Sequence, residues 1–166
     1  ERLRVRGQVT GAAVSTGMPL ATGMVGTIAV DGDPERDKAP ASLITAVTED
    51  YFGVLRIPLH RGRWLRFDGT DHDSVLVNEA VARHYFPGND PLGHRVSFYG
   101  KRDAVVVGIV ADTRDSDLPS EPGPHIYQPF EAAPQRFVKI LVRASADTSV
   151  AAGVLREVLR EADIVS

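Results

Sequence analysis

The chain has 166 residues, 43% of them hydrophobic and 25% charged, which suffices for a packed core in one domain or two small subdomains. Its net charge of −3, with sixteen scattered arginines against three lysines, gives no electrostatic case for nucleic acid or an anionic membrane surface. The absence of cysteine excludes a disulfide scaffold, a zinc–thiolate site and a thiol nucleophile.

In chain order, Glu1–Arg6 reads as a helix end closed by Gly7, and Val9–Ser15 as a strand. Met24–Val30 alternates apolar residues and predicts a second strand, followed by a turn at Asp31–Pro34 and a surface loop to Pro40. Ser42–Val47 is a third strand. Thr48–Leu55 follows as a short helix, with Thr48 as its cap and Tyr51, Phe52 and Leu55 facing inward. Leu59–Leu65 is an Arg-rich connection carrying Gly62 and Trp64, and Asp68–Asp73 a polar loop.

The most strongly patterned stretch is Val75–Gly93. A short buried strand leads to Asn78, which occupies an N-cap position, and Glu79 places negative charge in the first helical turn. Val81, Ala82, Tyr85 and Phe86 form one apolar face, and Pro87-Gly88 then stops the helix. Beyond it, Arg95–Tyr99 and Ala104–Ala111 predict a hairpin, with Val105–Val110 as a central strand. Asp112–Pro124 is a long acidic loop, His125–Pro129 and Phe137–Arg143 are strands, and Asp147 caps a final amphipathic helix, Thr148–Ala162. The pattern gives an α+β fold: mixed or antiparallel sheets with helices packed on one face, as two small strand–helix–strand subdomains.

Chemistry-bearing motifs are scarce. Asp71-His72-Asp73 carries metal-ligating side chains, but adjacent residues point apart, so a solvated loop is the better reading. Asp112, Asp115, Asp117 and Glu121 lack the spacing of a calcium loop and read the same way. His60, His72, His84, His94 and His125 stand beside charged or turn residues, with no partner arrangement visible in the sequence. Ser15-Thr-Gly17 is no nucleophile elbow, and Val106-Val-Gly-Ile lacks the three-glycine dinucleotide frame. Tyr51, Phe52, Trp64, Tyr85, Phe86, Tyr127 and Phe130 are assigned to core packing. Gly62, Gly93 and Gly108 are assigned to backbone needs. No run approaches the roughly 18 apolar residues of a membrane span. No cofactor is expected, and nothing supports an enzyme.

Several segments together resemble a known family. Asp50-Tyr-Phe-Gly-Val-Leu-Arg-Ile-Pro-Leu-His-Arg-Gly-Arg-Trp64 is similar to one of its segments and contains Tyr51, Phe52, Gly62 and Arg63. Val77–Arg95 is similar to a second, through Asn78, Glu79, Ala82, Arg83, Phe86, Pro87, Pro91 and Gly93. Val106–Arg114, with Gly108 and Asp112, and Ile126–Phe130, with Tyr127 and Pro129, complete the set. Their combination resembles the periplasmic core domain of MacB/FtsX-type ABC transporter permeases, over about Gly7 to Ile164. Thr148 departs from a frequent Pro, and the larger inserted subdomain of the full macrolide exporter has no counterpart.

The resemblance implies that residues 1–166 are one extracytoplasmic domain of a longer bacterial cytoplasmic-membrane permease, set between its first two transmembrane helices. It further implies a non-catalytic role, coupling ATP-driven movement of the membrane part to export or to a partner. The alternative is a stand-alone ligand- or peptide-binding module. Implied partners are the transmembrane helices of the same permease, an ATP-binding subunit or domain, a second permease copy, and a periplasmic adaptor or substrate. The motif residues named above would then be structural.

Overall fold

The computed structural model describes residues 9–18, 24–30, 41–98, 102–113, 121–132 and 138–144, with helical backbone also at 152, 153, 155, 156 and 160. The expectations for Glu1–Arg6, Asp31–Pro40 and Asp147, and for Asp115 and Asp117, lie outside the described residues.

The strands are β1 (Val9–Ser15), β2 (Met24–Gly26), β3 (Ile28–Val30), β4 (Ser42–Val47), β5 (Leu59–Gly62), β6 (Ser74–Asn78), β7 (Arg95–Phe98), β8 (Arg102–Val110), β9 (His125–Pro129) and β10 (Lys139–Ala144). The two helices bounded within the described residues are α1 (Tyr51–Leu55) and α2 (Glu79–Tyr85). All ten strands join one sheet in the order β10-β1-β4-β9-β6-β8-β7-β3, with β2 paired to β4 and β5 to β8. Pairing is antiparallel except for β4 with β9 and β6 with β8. The α+β class therefore holds. The expected pair of subdomains is instead one continuous hydrogen-bonded sheet.

The central strands explain the two cores. β6 is buried at every position, as a strand covered on both faces must be. Successive side chains alternate between faces. Val75 and Val77 join the cluster containing Val81 of α2 and Phe86, while Leu76 joins the cluster containing Tyr51, Phe52 and Val54 of α1. In β9, Ile126 and Tyr127 divide in the same way. The helices thus cover opposite faces of the sheet, not the single face expected.

β8 keeps this division across a bulge. Val75 pairs with Val106 but Leu76 pairs with Gly108, leaving Val107 as the extra residue. Beside it, β5 crosses very closely. A Cβ on Gly108 would lie 2.5 Å from the Arg63 carbonyl oxygen, and one on Gly62 would lie 2.4 Å from that of Val107. Gly62 also has φ +78°, a conformation open mainly to glycine. Both glycines serve the backbone, and part of the expected Arg-rich connection proves to be a strand.

Two local expectations change. Met24–Val30 is broken into β2 and β3, which pair with different strands, β4 and β7. Thr48 does not cap α1. Its hydroxyl accepts from the Val14 N–H (2.9 Å) and donates to the Val14 carbonyl (3.2 Å), so it ties β4 to β1. The helix begins after Asp50, which makes no side-chain cap bond. A threonine hydroxyl within reach of a neighbouring strand is drawn away from the helix.

Asn78 behaves as expected and does more. Its Oδ1 accepts from the N–H groups of Val81 (3.1 Å) and His125 (2.9 Å), and its Nδ2 donates to the Gly123 carbonyl (2.8 Å). The residue is fully buried. Loss of an N-cap alone costs about 0.5–2 kcal/mol. Leaving the buried His125 N–H without its partner adds a further penalty of about 1–3 kcal/mol. Asn78→Ala should therefore lower stability in denaturant unfolding by about 3 kcal/mol. A loss below about 1 kcal/mol would mean that only the cap was removed.

Candidate functional site

The charged groups near the motif residues are bound to one another and to the backbone. Arg63 donates two hydrogen bonds to Asp71, one of 2.8 Å from Nη2 to Oδ1 and one from Nη1 to Oδ2. Asp71 is only 4% exposed and also accepts from the Arg66 N–H (2.8 Å) and the Ser74 hydroxyl (3.0 Å). The Arg63 guanidinium, aided by these other donors, holds the Asp71 carboxyl down to about 2. Asp71 is therefore no solvated loop residue. It anchors the 63–74 connection, while His72 and Asp73 face solvent and contact each other at 3.1 Å. Among the described residues, no group of three or more His, Asp or Glu is placed to hold a metal ion.

A second group forms at the start of α2. Asp112 accepts from the Ala80 N–H and from Arg83, both at 2.8 Å, and so closes a helix terminus instead of standing in a solvated loop. Glu79 meets His60 at 3.0 Å at the surface. Ala82 accepts the capping bond from the Phe86 N–H (3.2 Å), and the Phe86 ring packs against His94. Pro87 is exposed in the turn and Pro91 is buried. Gly93 turns the chain at φ +82° and donates to the Val106 carbonyl (2.9 Å). Pro129 ends β9 opposite Val47, beyond the last β6–β9 pair, where its missing N–H breaks no bond to β6.

The third group is aromatic. Tyr51, Phe52 and Tyr127 pack with ring centroids 5.1–5.9 Å apart, as core residues. His125 stacks on Tyr127 at 4.1 Å, and its Nε2 meets the Thr45 hydroxyl at 2.7 Å. It is buried in a central strand, not beside charged or turn residues as the sequence suggested. Burial pushes its pKa down to about 3, so the imidazole is neutral in the folded protein.

The structure thus joins Gly62, Arg63 and Gly108, then Asn78, Glu79, Arg83 and Asp112, and finally Tyr51, Phe52 and Tyr127. These three groups do not converge on one another as a reaction centre would. A concavity among the described residues borders the third group at Phe52. Glu49, Asp50, Phe52, Gly53, Trp64, Leu65 and Phe67 line a groove of about 340 Å³. Trp64 rests on Phe52 at 5.0 Å yet remains 43% exposed, against its assignment to the core. The unusual position of a tryptophan within an Arg-rich connection was the available signal for this groove. Glu49, Asp50, Gly53 and Phe67 gave none.

His125 and Asp71 set the acid stability. Between pH 6.5 and about 3 the unfolded chain takes a proton at His125 that the folded one refuses, so stability is full above pH 6.5 and falls below it. Asp71 adds a second loss, between about pH 3.8 and 2. Urea unfolding from pH 7.5 to 5 should show declining stability, and His125→Gln should flatten the decline by up to about 1.4 kcal/mol per pH unit. Equal slopes in the two proteins would mean that His125 is not held neutral.

Comparison with known proteins bears on the same geometry. The periplasmic region of MacB from Actinobacillus actinomycetemcomitans superposes with a TM-score of 0.69 at 22% identity, covering 96% of this chain and 70% of that one. The extracellular domain of the noncanonic ABC-type transporter YknZ from Gram-positive bacteria gives 0.65 at 15% identity, over 97% and 80%. A permease domain from Porphyromonas gingivalis gives 0.64 at 16% identity, over 93% and 70%. At such identities the likeness shows a shared fold. No curated protein matches the sequence. The sequence itself matches the MacB-like periplasmic core domain over residues 4–157, and the chain belongs to that family.

Proposed function

We propose that this periplasmic core domain is a non-catalytic lever and docking surface of an ABC transporter permease. It passes ATP-driven movement of the membrane part to an exported substrate or to a partner protein. The observation that carries this reading is how the charged motif residues are used. Arg63, Arg83 and Asp112 tie loops and helix ends to a single sheet, and Arg143 of β10 donates to the Val54 carbonyl at the end of α1. A body that transmits displacement needs such stiffness and needs no perturbed catalytic group in a cleft.

In this reading ATP hydrolysis belongs to a separate nucleotide-binding domain or subunit. The transmembrane helices of the same permease, and a second permease copy, complete the moving assembly. The domain stands on the extracytoplasmic side of the bacterial cytoplasmic membrane. Among the described residues no helix is long and apolar enough to cross a membrane. Family membership favours this role over a stand-alone binding module.

The test is made in the parent permease, reconstituted with its ATPase in vesicles. Replacing residues 9–144 with a short Gly/Ser linker should leave ATPase association and basal ATP hydrolysis intact while abolishing transport. Transport at the undiminished rate would overturn the lever reading.

A further inference from the structure

We infer that Met24–Val30 is a strap that closes six strands into a barrel, and that the barrel opens at this strap before the chain unfolds as a whole. The inference concerns the chain itself and stands or falls independently of the lever reading.

The pairing carries the first half. β9 lies along one side of β4, over Leu43–Val47, so β2, which pairs with Ser42, Leu43 and Ile44, lies along the other side. β8 lies along one side of β7, over Arg95–Phe98, so β3, which pairs with Val96, Ser97 and Phe98, lies along the other side. β2 and β3 therefore stand at the two ends of the run β4-β9-β6-β8-β7, and only Thr27 separates them in the chain. The step from Gly26 to Ile28 spans at most about 7 Å, so the two ends of the run meet and the sheet closes on itself.

The core agrees with the closure. One cluster takes Ile28 from β3, Ile44 from β4, Ile126 from β9, Val75 from β6, Val106 from β8 and Phe98 from β7. Every side of the ring supplies it, and among the described residues β1, β5 and β10 do not. A cluster of that kind is the filled interior of a small barrel.

The second half follows from how little holds the strap. It has three paired residues on β4 and three on β7. Met24, Val25 and Thr27 are exposed, and Ile28 is its one buried side chain. β6 and β9, in contrast, are buried at all five of their positions. Stretches with few buried contacts open at a lower free energy than the whole fold. Shut, the strap makes the barrel a single stiff body and covers an edge of β7 that, left bare, would be a template for another chain. Released, it uncovers that edge and lets the β4 and β7 sides move apart. The strap is a latch.

Native-state hydrogen exchange of the 166-residue chain in low urea reads the latch directly. The protected amides of β2 and β3 should share one protection factor, about tenfold or more below that of β6. Because the chain has no cysteine, a disulfide can be placed at one chosen pair. Val25 and Leu43 are Cα partners on neighbouring strands, a separation that a disulfide spans. In a chain carrying Val25→Cys and Leu43→Cys, oxidation should raise the protection of β3 as well as β2 by about tenfold or more, and reduction should reverse it.

Strap amides as protected as those of β6 would overturn the proposal. So would unequal protection of β2 and β3, or an oxidised disulfide that protects β2 and leaves β3 unchanged, since the two strands would then not move as one strap. If the double variant fails to fold, the exchange pattern of the unaltered chain decides.

Discussion

A single buried amide holds the architecture at its centre. Asn78 ends β6, begins α2 and, through the His125 N–H and the Gly123 carbonyl, fixes where β9 starts. The bonds to Val81 and His125 satisfy backbone N–H groups that burial has cut off from water, and such groups are costly to leave alone. β6 is the strand on which both cores depend, because its alternate side chains supply each of them. Whatever fixes the end of β6 therefore fixes the register of α2 on one face and of Tyr127, the residue against which α1 packs, on the other.

The other charged residues follow the same logic at the periphery. Asp71 is buried with a complete set of donors, so its charge is retained and the 63–74 connection is bound to the start of β6. Asp112 supplies a second anchor beside Asn78 by taking the Ala80 N–H. Side chains engaged in this way are poor candidates for chemistry, since a general acid or base must be free to exchange its proton with a substrate. Arg63, Asn78, Arg83 and Asp112 instead hold loops and helix ends in place. The scaffold in turn leaves its opposite face, at α1, to carry the groove.

How far the sequence was legible follows from the range of each interaction. The Val75–Gly93 stretch was read almost residue for residue, because strand, cap, helix and stop are all set by near neighbours in the chain. The hairpin of β7 and β8 was read for the same reason. Long-range choices were hidden. Nothing local says that Met24–Val30 divides its pairing between β4 and β7, or that Thr48 prefers the backbone of Val14, 34 residues away, to its own helix. The two-sided placement of the helices depends on which residues of β6 and β9 face each way, and an all-apolar strand conceals that. Asp71 looked solvated because its sequence neighbours are polar, and nothing local marked His125 as buried; their settings are decided by Arg63, Thr45 and Tyr127 across the fold.

The groove shows the same limit in a sharper form. Trp64 is legible as an oddity, but only the fold brings it and Gly53 to one groove. Its floor is rigid: Phe52 is packed on Tyr127, and the carbonyl of Val54, one residue past Gly53, is held by Arg143 from β10. The fixed floor also connects the groove to the rest of the molecule. The Arg143 guanidinium thus joins α1 to β10, and Tyr127 joins it to the central sheet.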